Sequence, residues 1–282
     1  MKKYVLCIAS GGFTDTLSQI QRAWHYCREN GRTLVIDTLC SSSMRAQFNS
    51  CFDVVGDVEV VGTITKEIVN VLNAFTSHPP RVSGNVYKDC SAGFDHACTY
   101  DEQCLVERAK GGTSWYDKEK QKTFLKFANC LKLQPLVSEH VKSCLNRLPS
   151  QYDAVHVRNT DYQTDYKTFF NTLRPKLQCD NLLVCSDDYD CVQYAKEFFT
   201  QTVWQAIDLT PNDKKPRHQV TGIDYHQRNL DLLCDLFALA RAQRLHYTKC
   251  NNNKWNKGFS GFTMLAKLLH DNPNVISLIL GE

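Results

Sequence analysis

An α/β protein built on parallel sheets is what the sequence predicts, and three observations carry that expectation. A strand, a glycine turn, a helix and a second strand follow one another over residues 4–37. Strands and helices alternate again from residue 153 to residue 247, the rhythm of a parallel sheet with helices on both faces. Between these stands Asp153-Ala154-Val155-His156-Val157, an apolar run that breaks at once into Arg158, Asn159, Thr160 and Asp161. That is how a parallel strand delivers polar groups at its carboxyl end.

The first unit can be taken residue by residue. Tyr4 to Ala9 is strand-like, Ser10-Gly11-Gly12-Phe13 is the turn, and Thr14 or Asp15 is placed to cap a helix. Leu17, Ile20, Trp24 and Cys27 share one face of that helix, and Gly31 stands where it stops before the strand Thr33 to Asp37. The start of such a helix has unpaired N–H groups and a dipole that favours an anion, so phosphate is a natural ligand there.

From Ser41 to Asn129 the expectations are a loop and short helix to Phe52, strand material over Val54 to Ile64, and a helix over Lys66 to Phe75. Ser77-His78-Pro79-Pro80 breaks the last. His96 with Asp95, Cys90, Cys98 and Cys104 has the donor types of a zinc cluster but not its paired two-ligand spacing. Tyr100 to Tyr116, with Gly111-Gly112, offers acidic and aromatic groups for an acceptor pocket. Asp117 to Leu133 is basic and amphipathic, with Phe124, Phe127 and Leu131 at helical spacing.

The second half predicts a helix over Leu136 to Leu148, the strand ending at Val157, and helix Lys167 to Leu173. Strand Asn181 to Cys185, helix Cys191 to Thr200, strand Thr202 to Ile207, helix Asn229 to Ala240 and strand Arg244 to Tyr247 follow. Asp188-x-Asp190 has the form of a carboxylate pair that holds a divalent ion under a diphosphate, and Asp188 equally suits a helix N-cap. Leu209 to Thr221, with Pro211, Lys214, Lys215, Pro216, Arg217 and His218, is a basic connection of the kind that closes over phosphates.

Composition narrows the function classes. The 282 residues are 43% apolar, enough for a core in one large domain or two ordinary ones, and a formal charge of +3 is too small and too dispersed for nucleic acid. The fourteen cysteines are scattered without a single CxxC, which reads as reduced thiols. No Asn-x-Ser/Thr sequon occurs, and the apolar run after Met1-Lys2-Lys3 is shorter than a signal or spanning segment. A cytoplasmic protein without a membrane span is expected, as suits a bacterial or large-virus source.

His156-Val157-Arg158-x-Thr160-Asp161 resembles the arginine motif that α1,6-fucosyltransferases and their nodulation relatives place at the nucleotide-sugar site. Gly12-Phe13-x-Asp15, the helix with Trp24 and Tyr26, and Gly31 to Asp37 resemble the opening of the nodulation-type enzymes. Phe259-Ser260-Gly261-Phe262 and the apolar helix after it resemble their last motif, and Leu131 to Pro135 the proline segment before their second domain. The resemblance spans nearly the whole chain. It implies a GT-B architecture, two Rossmann-like domains facing across a cleft. Residues 1–134 would form an α/β domain on the acceptor side, and residues 135–282 the domain that binds the nucleotide-sugar.

The implied reaction is an inverting transfer from GDP-fucose to a glycan hydroxyl, with no divalent metal or other cofactor. Arg158 would stabilise the diphosphate, and Asp165, from the Thr164-Asp165 pair, would be the base, with Asp161 its rival. Gly11, Gly12, Phe13, His156, Asp187, Phe259 and Ser260 complete the donor site, His156 facing ribose or base and Asp187 the base. Two departures stand out: Thr14, where those enzymes tend to have glycine, and Asn159, where they carry a second arginine. The second leaves room for a UDP-sugar such as UDP-xylose. Alternatives of other kinds are a non-catalytic nucleotide- or glycan-binding protein and a metal-dependent GT-A transferase.

Overall fold

The structure, a computed structural model, describes residues 2–80, 94–108, 117–211, 224–251 and 258–282. Gly111-Gly112 and Tyr116 of the expected acceptor pocket, Cys90 of the zinc reading, and Lys214 to His218 of the basic connection lie outside these residues. The chain divides into two compact units, one from Met1–Thr113 with Lys122–Gln134, the other from Ser114–Gln121 with Pro135–Glu282.

In the first unit, β1 (Tyr4–Ile8) leads through the glycine turn into α1 (Phe13–Asn30) and then β2 (Thr33–Asp37). β3 (Phe52–Val54), β4 (Val60–Val61), α2 (Lys66–Ala74), β5 (Ser77–His78) and β6 (Cys104–Glu107) follow. Five of these strands form one all-parallel sheet in the order β4-β2-β1-β6-β5. β1, β2 and β6 are apolar with little alternation because parallel strands are covered on both faces, here by α1 on one side and α2 on the other. α1 ends at Gly31, whose φ of 59° lies in the left-handed region that a glycine adopts freely.

α3 (Lys118–Ala128) is shorter than the helix expected over residues 117–133. Phe124 and Phe127 are its buried stripe, but Leu131 and Leu133 alternate with exposed Lys132 and form β7 (Leu131–Leu133), antiparallel to β3. A period of two prevailed over an apparent period of 3.6 once Cys130 and its neighbours turned the chain. Strand material expected over residues 54–64 is confined to the end of β3 and to β4.

The second unit begins with α4 (Pro135–Asn146), whose proline occupies the first helical position, where no N–H is needed. β8 (Asp153–Val157), α5 (Tyr166–Leu173), β9 (Asn181–Ser186), α6 (Tyr189–Phe198) and β10 (Thr202–Trp204) follow. Then come α7 (Tyr225–Arg241), β11 (Arg244–Tyr247), α8 (Gly261–His270) and α9 (Pro273–Leu280). Its sheet is all-parallel in the order β10-β9-β8-β11. The chain therefore steps outward from β8 to β10 and returns to the other flank of β8, so the strand order reverses between β8 and β11. Val155, Val157, Leu182 and Val184 pack on Phe170 and Val192 beneath one face. Among the described residues no helix is long and apolar enough to cross a membrane.

Asp153 joins β8 to β11 at the amino end of the sheet. Its fully buried carboxylate pairs with Arg244 at 2.7 Å and accepts the N–H groups of Gln178 and Cys179 at 2.8 and 3.1 Å. Burial pushes this carboxyl up, but Arg244 and the two N–H groups outweigh it and hold it below its ordinary value. Its contribution to stability is therefore whole above about pH 4 and is lost as the pH falls through the folded pKa. Asp153→Ala should cost about 3 kcal/mol near neutrality in a denaturant titration. The deficit should shrink in acid, and an equal deficit at pH 7 and in acid would contradict the pairing.

Candidate functional site

The strand-order reversal of the second unit puts the carboxyl ends of β8 and β11 side by side, the place where open α/β sheets form their ligand crevices. The loop leaving β8 is drawn tight there. The Thr164 hydroxyl donates to the Arg158 carbonyl at 2.7 Å, and the Thr164 N–H donates to Asn159 Oδ1 at 2.8 Å. Ser186 Oγ donates to the Val157 carbonyl at 2.9 Å on the β9 side. On the β11 side Thr248 N–H meets the His156 carbonyl at 3.3 Å, and Asn251 N–H meets the Gln163 carbonyl at 2.7 Å.

Asp187, just past β9, is the anchor of this loop. It is 6% exposed; Oδ1 accepts the Asn159 N–H at 2.8 Å, and Oδ2 accepts the Thr160 hydroxyl and pairs with Arg158 Nη1 at 2.9 Å. Asp187, expected to face a nucleotide base, has both oxygens engaged within the protein. Asp188 is likewise taken up. Oδ1 caps α6 through the Asp190 N–H at 3.0 Å and Oδ2 accepts Asn159 Nδ2 at 2.6 Å, so the N-cap role raised for it is the one it fills. Asn159, in the position of the second arginine, is thus a neutral knot joining three segments.

Arg158 is 22% exposed and held from two sides, with Nε and Nη2 at 2.8 and 2.7 Å from Asp161 Oδ1 and Nη1 on Asp187. The guanidinium plane is fixed, and its remaining N–H groups are available to a ligand. Asp161 Oδ1 also accepts the Tyr162 N–H at 3.0 Å. Asp165 lies elsewhere in role. It is the exposed N-cap of α5, accepting the Thr168 N–H at 3.1 Å, and the Thr168 hydroxyl and N–H hold its carboxyl below the usual range. A depressed pKa makes a carboxylate a weaker base.

His156 is buried at the end of β8, its ring 5.5 Å from that of Phe262 and its Nδ1 2.5 Å from the Thr263 hydroxyl in the first turn of α8. Burial, reinforced by the Arg158 charge, lowers its pKa to about 3, so it stays neutral at physiological pH and serves as a hydrogen-bonding group. Ser260 is the N-cap residue of α8, yet its hydroxyl makes no cap hydrogen bond. Phe259 meets Tyr247 edge-on at 5.3 Å, with Lys249 Nζ 5.5 Å from its ring centroid. The sequence reading passed over Thr263 and Lys249. Strand order was the missing signal, since it alone puts the end of β11 against the arginine loop.

In the first unit the Gly11-Gly12 turn is wrapped by the loop after β2, with Ser42 Oγ donating to the Gly11 carbonyl at 2.7 Å. Gly11 has φ 85°, and a Cβ there would meet Asp15 at 3.2 Å, so glycine is required. Gly12, not Thr14 or Asp15, is the N-cap of α1, and its N–H donates to Asp15 Oδ2 at 3.3 Å. A protein carboxylate therefore occupies the first N–H at this helix start, where phosphate was expected. Burial raises the pKa of Asp15, with the Gly12 N–H opposing. Phe13 is a core residue stacked on Phe52 at 6.3 Å. His96 Nε2 bonds buried Glu107 at 3.1 Å, and among the described residues no group of three or more His, Cys, Asp or Glu is placed to hold a metal.

No family model and no curated sequence matches this chain. Solved structures do. NodZ α-1,6-fucosyltransferase co-crystallised with GDP is 18% identical with a TM-score of 0.61, covering 95% of this chain and 93% of that one. Fucosyltransferase NodZ from Bradyrhizobium is 19% identical at 0.61, over 95% and 94%. POFUT1 in complex with GDP-fucose is 14% identical at 0.59, over 96% and 95%. Over nearly its whole length the chain has the α/β fold of these fucosyltransferases.

Proposed function

We propose that the protein is a glycosyltransferase that moves a sugar from a nucleotide-sugar donor, GDP-fucose in the first instance, to a glycan hydroxyl with inversion and without a divalent metal. The observation that carries this reading is Arg158, locked by Asp161 and Asp187 at the carboxyl end of β8 beside the strand-order reversal. The fold shared with fucosyltransferases crystallised with GDP and GDP-fucose supports it.

In the reaction the acceptor oxygen forms a bond to the anomeric carbon while the bond from that carbon to the β-phosphate oxygen breaks, its electron pair leaving with the nucleoside diphosphate. Charge grows on the leaving phosphate, and a pre-oriented guanidinium answers it without reorganising. Neutral His156 and the Ser260 hydroxyl add hydrogen bonds from β8 and from the start of α8. We assign the acceptor proton to Asp161, not Asp165. Arg158 fixes Asp161 through Oδ1, and Oδ2 makes no hydrogen bond among the described residues.

The engagement of Asp187 with its own loop favours a second reading of the donor base. With that carboxylate turned inward and Asn159 in place of a cation, a UDP-sugar such as UDP-xylose suits the same scaffold.

Release of nucleoside diphosphate from GDP-fucose and UDP-xylose, measured in EDTA with a panel of glycan acceptors, tests the proposal. Arg158→Ala should slow turnover by about a thousandfold. Turnover by wild type only after Mn²⁺ is restored would refute the metal-free mechanism, and no release from any donor would refute the enzyme reading. Asp161→Asn should lower kcat by about a hundredfold or more. Asp165→Ala should lower the unfolding midpoint while sparing kcat, and the reverse ranking would return the base to Asp165.

A further inference from the structure

The loop after β8 sets one guanidinium against two carboxylates, Asp161 and Asp187. Arg158 thus supplies direction but little net positive charge, and a diphosphate approaching it meets those two carboxylates as well. A cation with no carboxylate partner among the described residues would correct this, and Lys249 is one. Lys249 is exposed, two residues beyond the end of β11, the strand that pairs with β8.

Two contacts fix its place. The Thr164 hydroxyl that donates to the Arg158 carbonyl at 2.7 Å lies 3.4 Å from the Lys249 carbonyl, so the two backbones meet at a single side chain. The ammonium lies 5.5 Å from the centroid of Phe259, immediately before Ser260. Its stem is therefore held toward the start of α8 by a cation–π contact. Among the described residues no carboxylate pairs with Lys249. An ammonium over the ring that precedes the N-cap of α8, with no carboxylate among the described residues to meet it, is an arrangement that an anionic ligand relieves.

We infer that Lys249 meets the diphosphate of the donor and supplies the net positive charge that Arg158, paired twice within the protein, does not. This rests on the glycosyltransferase reading above. Arg158 orients the phosphate through its remaining N–H groups, Lys249 carries the leaving-group charge, and a divalent ion is not needed between them.

Calorimetric titration of wild type, Lys249→Ala and Lys249→Arg with GDP, UDP and the matching monophosphates tests the inference. For whichever diphosphate wild type binds, Lys249→Ala should weaken affinity by about tenfold to a hundredfold. It should weaken the monophosphate less, and Lys249→Arg should retain most of the affinity. The advantage of wild type over Lys249→Ala should narrow as salt is raised. Unchanged diphosphate affinity in Lys249→Ala, with Arg158→Ala impaired, would overturn the role of Lys249 and leave the proposed function standing. An equal loss for diphosphate and monophosphate would also overturn it, and no binding of either diphosphate by wild type would overturn both.

Discussion

Everything about the candidate site depends on one buried carboxylate. Asp187 takes the Asn159 N–H, the Thr160 hydroxyl and Arg158 Nη1, and so converts the segment after β8 from a loop into a fixed shape. Burying a carboxylate is costly unless it is paired and hydrogen-bonded, and here it is both. The same contacts hold the guanidinium in one plane. Asp161 grips the opposite edge, so the arginine meets a ligand already oriented, which is what makes such a donor effective when charge develops on a leaving group.

The strand order explains why this shape sits where it does. Because the chain returns from β10 to the far side of β8, β11 brings Thr248 and Lys249 against the arginine loop, and α8 then begins directly over the end of β8. His156 and Thr263 close that contact with a neutral hydrogen bond, His156 being kept uncharged by burial. Residues as far apart in the chain as His156 and Thr263, 107 positions, are thereby gathered at the carboxyl ends of β8 and β11. Rigid strands position them, and the chemistry is left to a few polar side chains.

Much of this was legible in the sequence, and the exceptions have physical causes. The strands at residues 4–8, 33–37, 153–157 and 181–186 announce themselves because buried parallel strands read as short apolar runs. Arg158 and Asp161 stood out because polar groups behind such a run have few bland uses. The packing of Phe13 on Phe52 could not be read from the sequence, because an aromatic after a glycine turn looks the same whatever it faces. The protein partners of Asp165 and Asp187 were not legible because hydrogen-bond partners are a matter of geometry: a carboxylate three residues before a helical N–H is a cap, and one beside an arginine and two loop donors is an anchor. Lys249 was invisible for want of strand order, which no local pattern encodes.

The most direct test of the central claim is a thermal-shift comparison of wild type and Arg158→Ala with GDP and with UDP, each in EDTA. A ligand that binds only the folded protein must raise its melting temperature. The account predicts a rise with at least one of the two diphosphates in wild type and its loss in the variant. A rise of equal size in both proteins, or none in wild type, would contradict it.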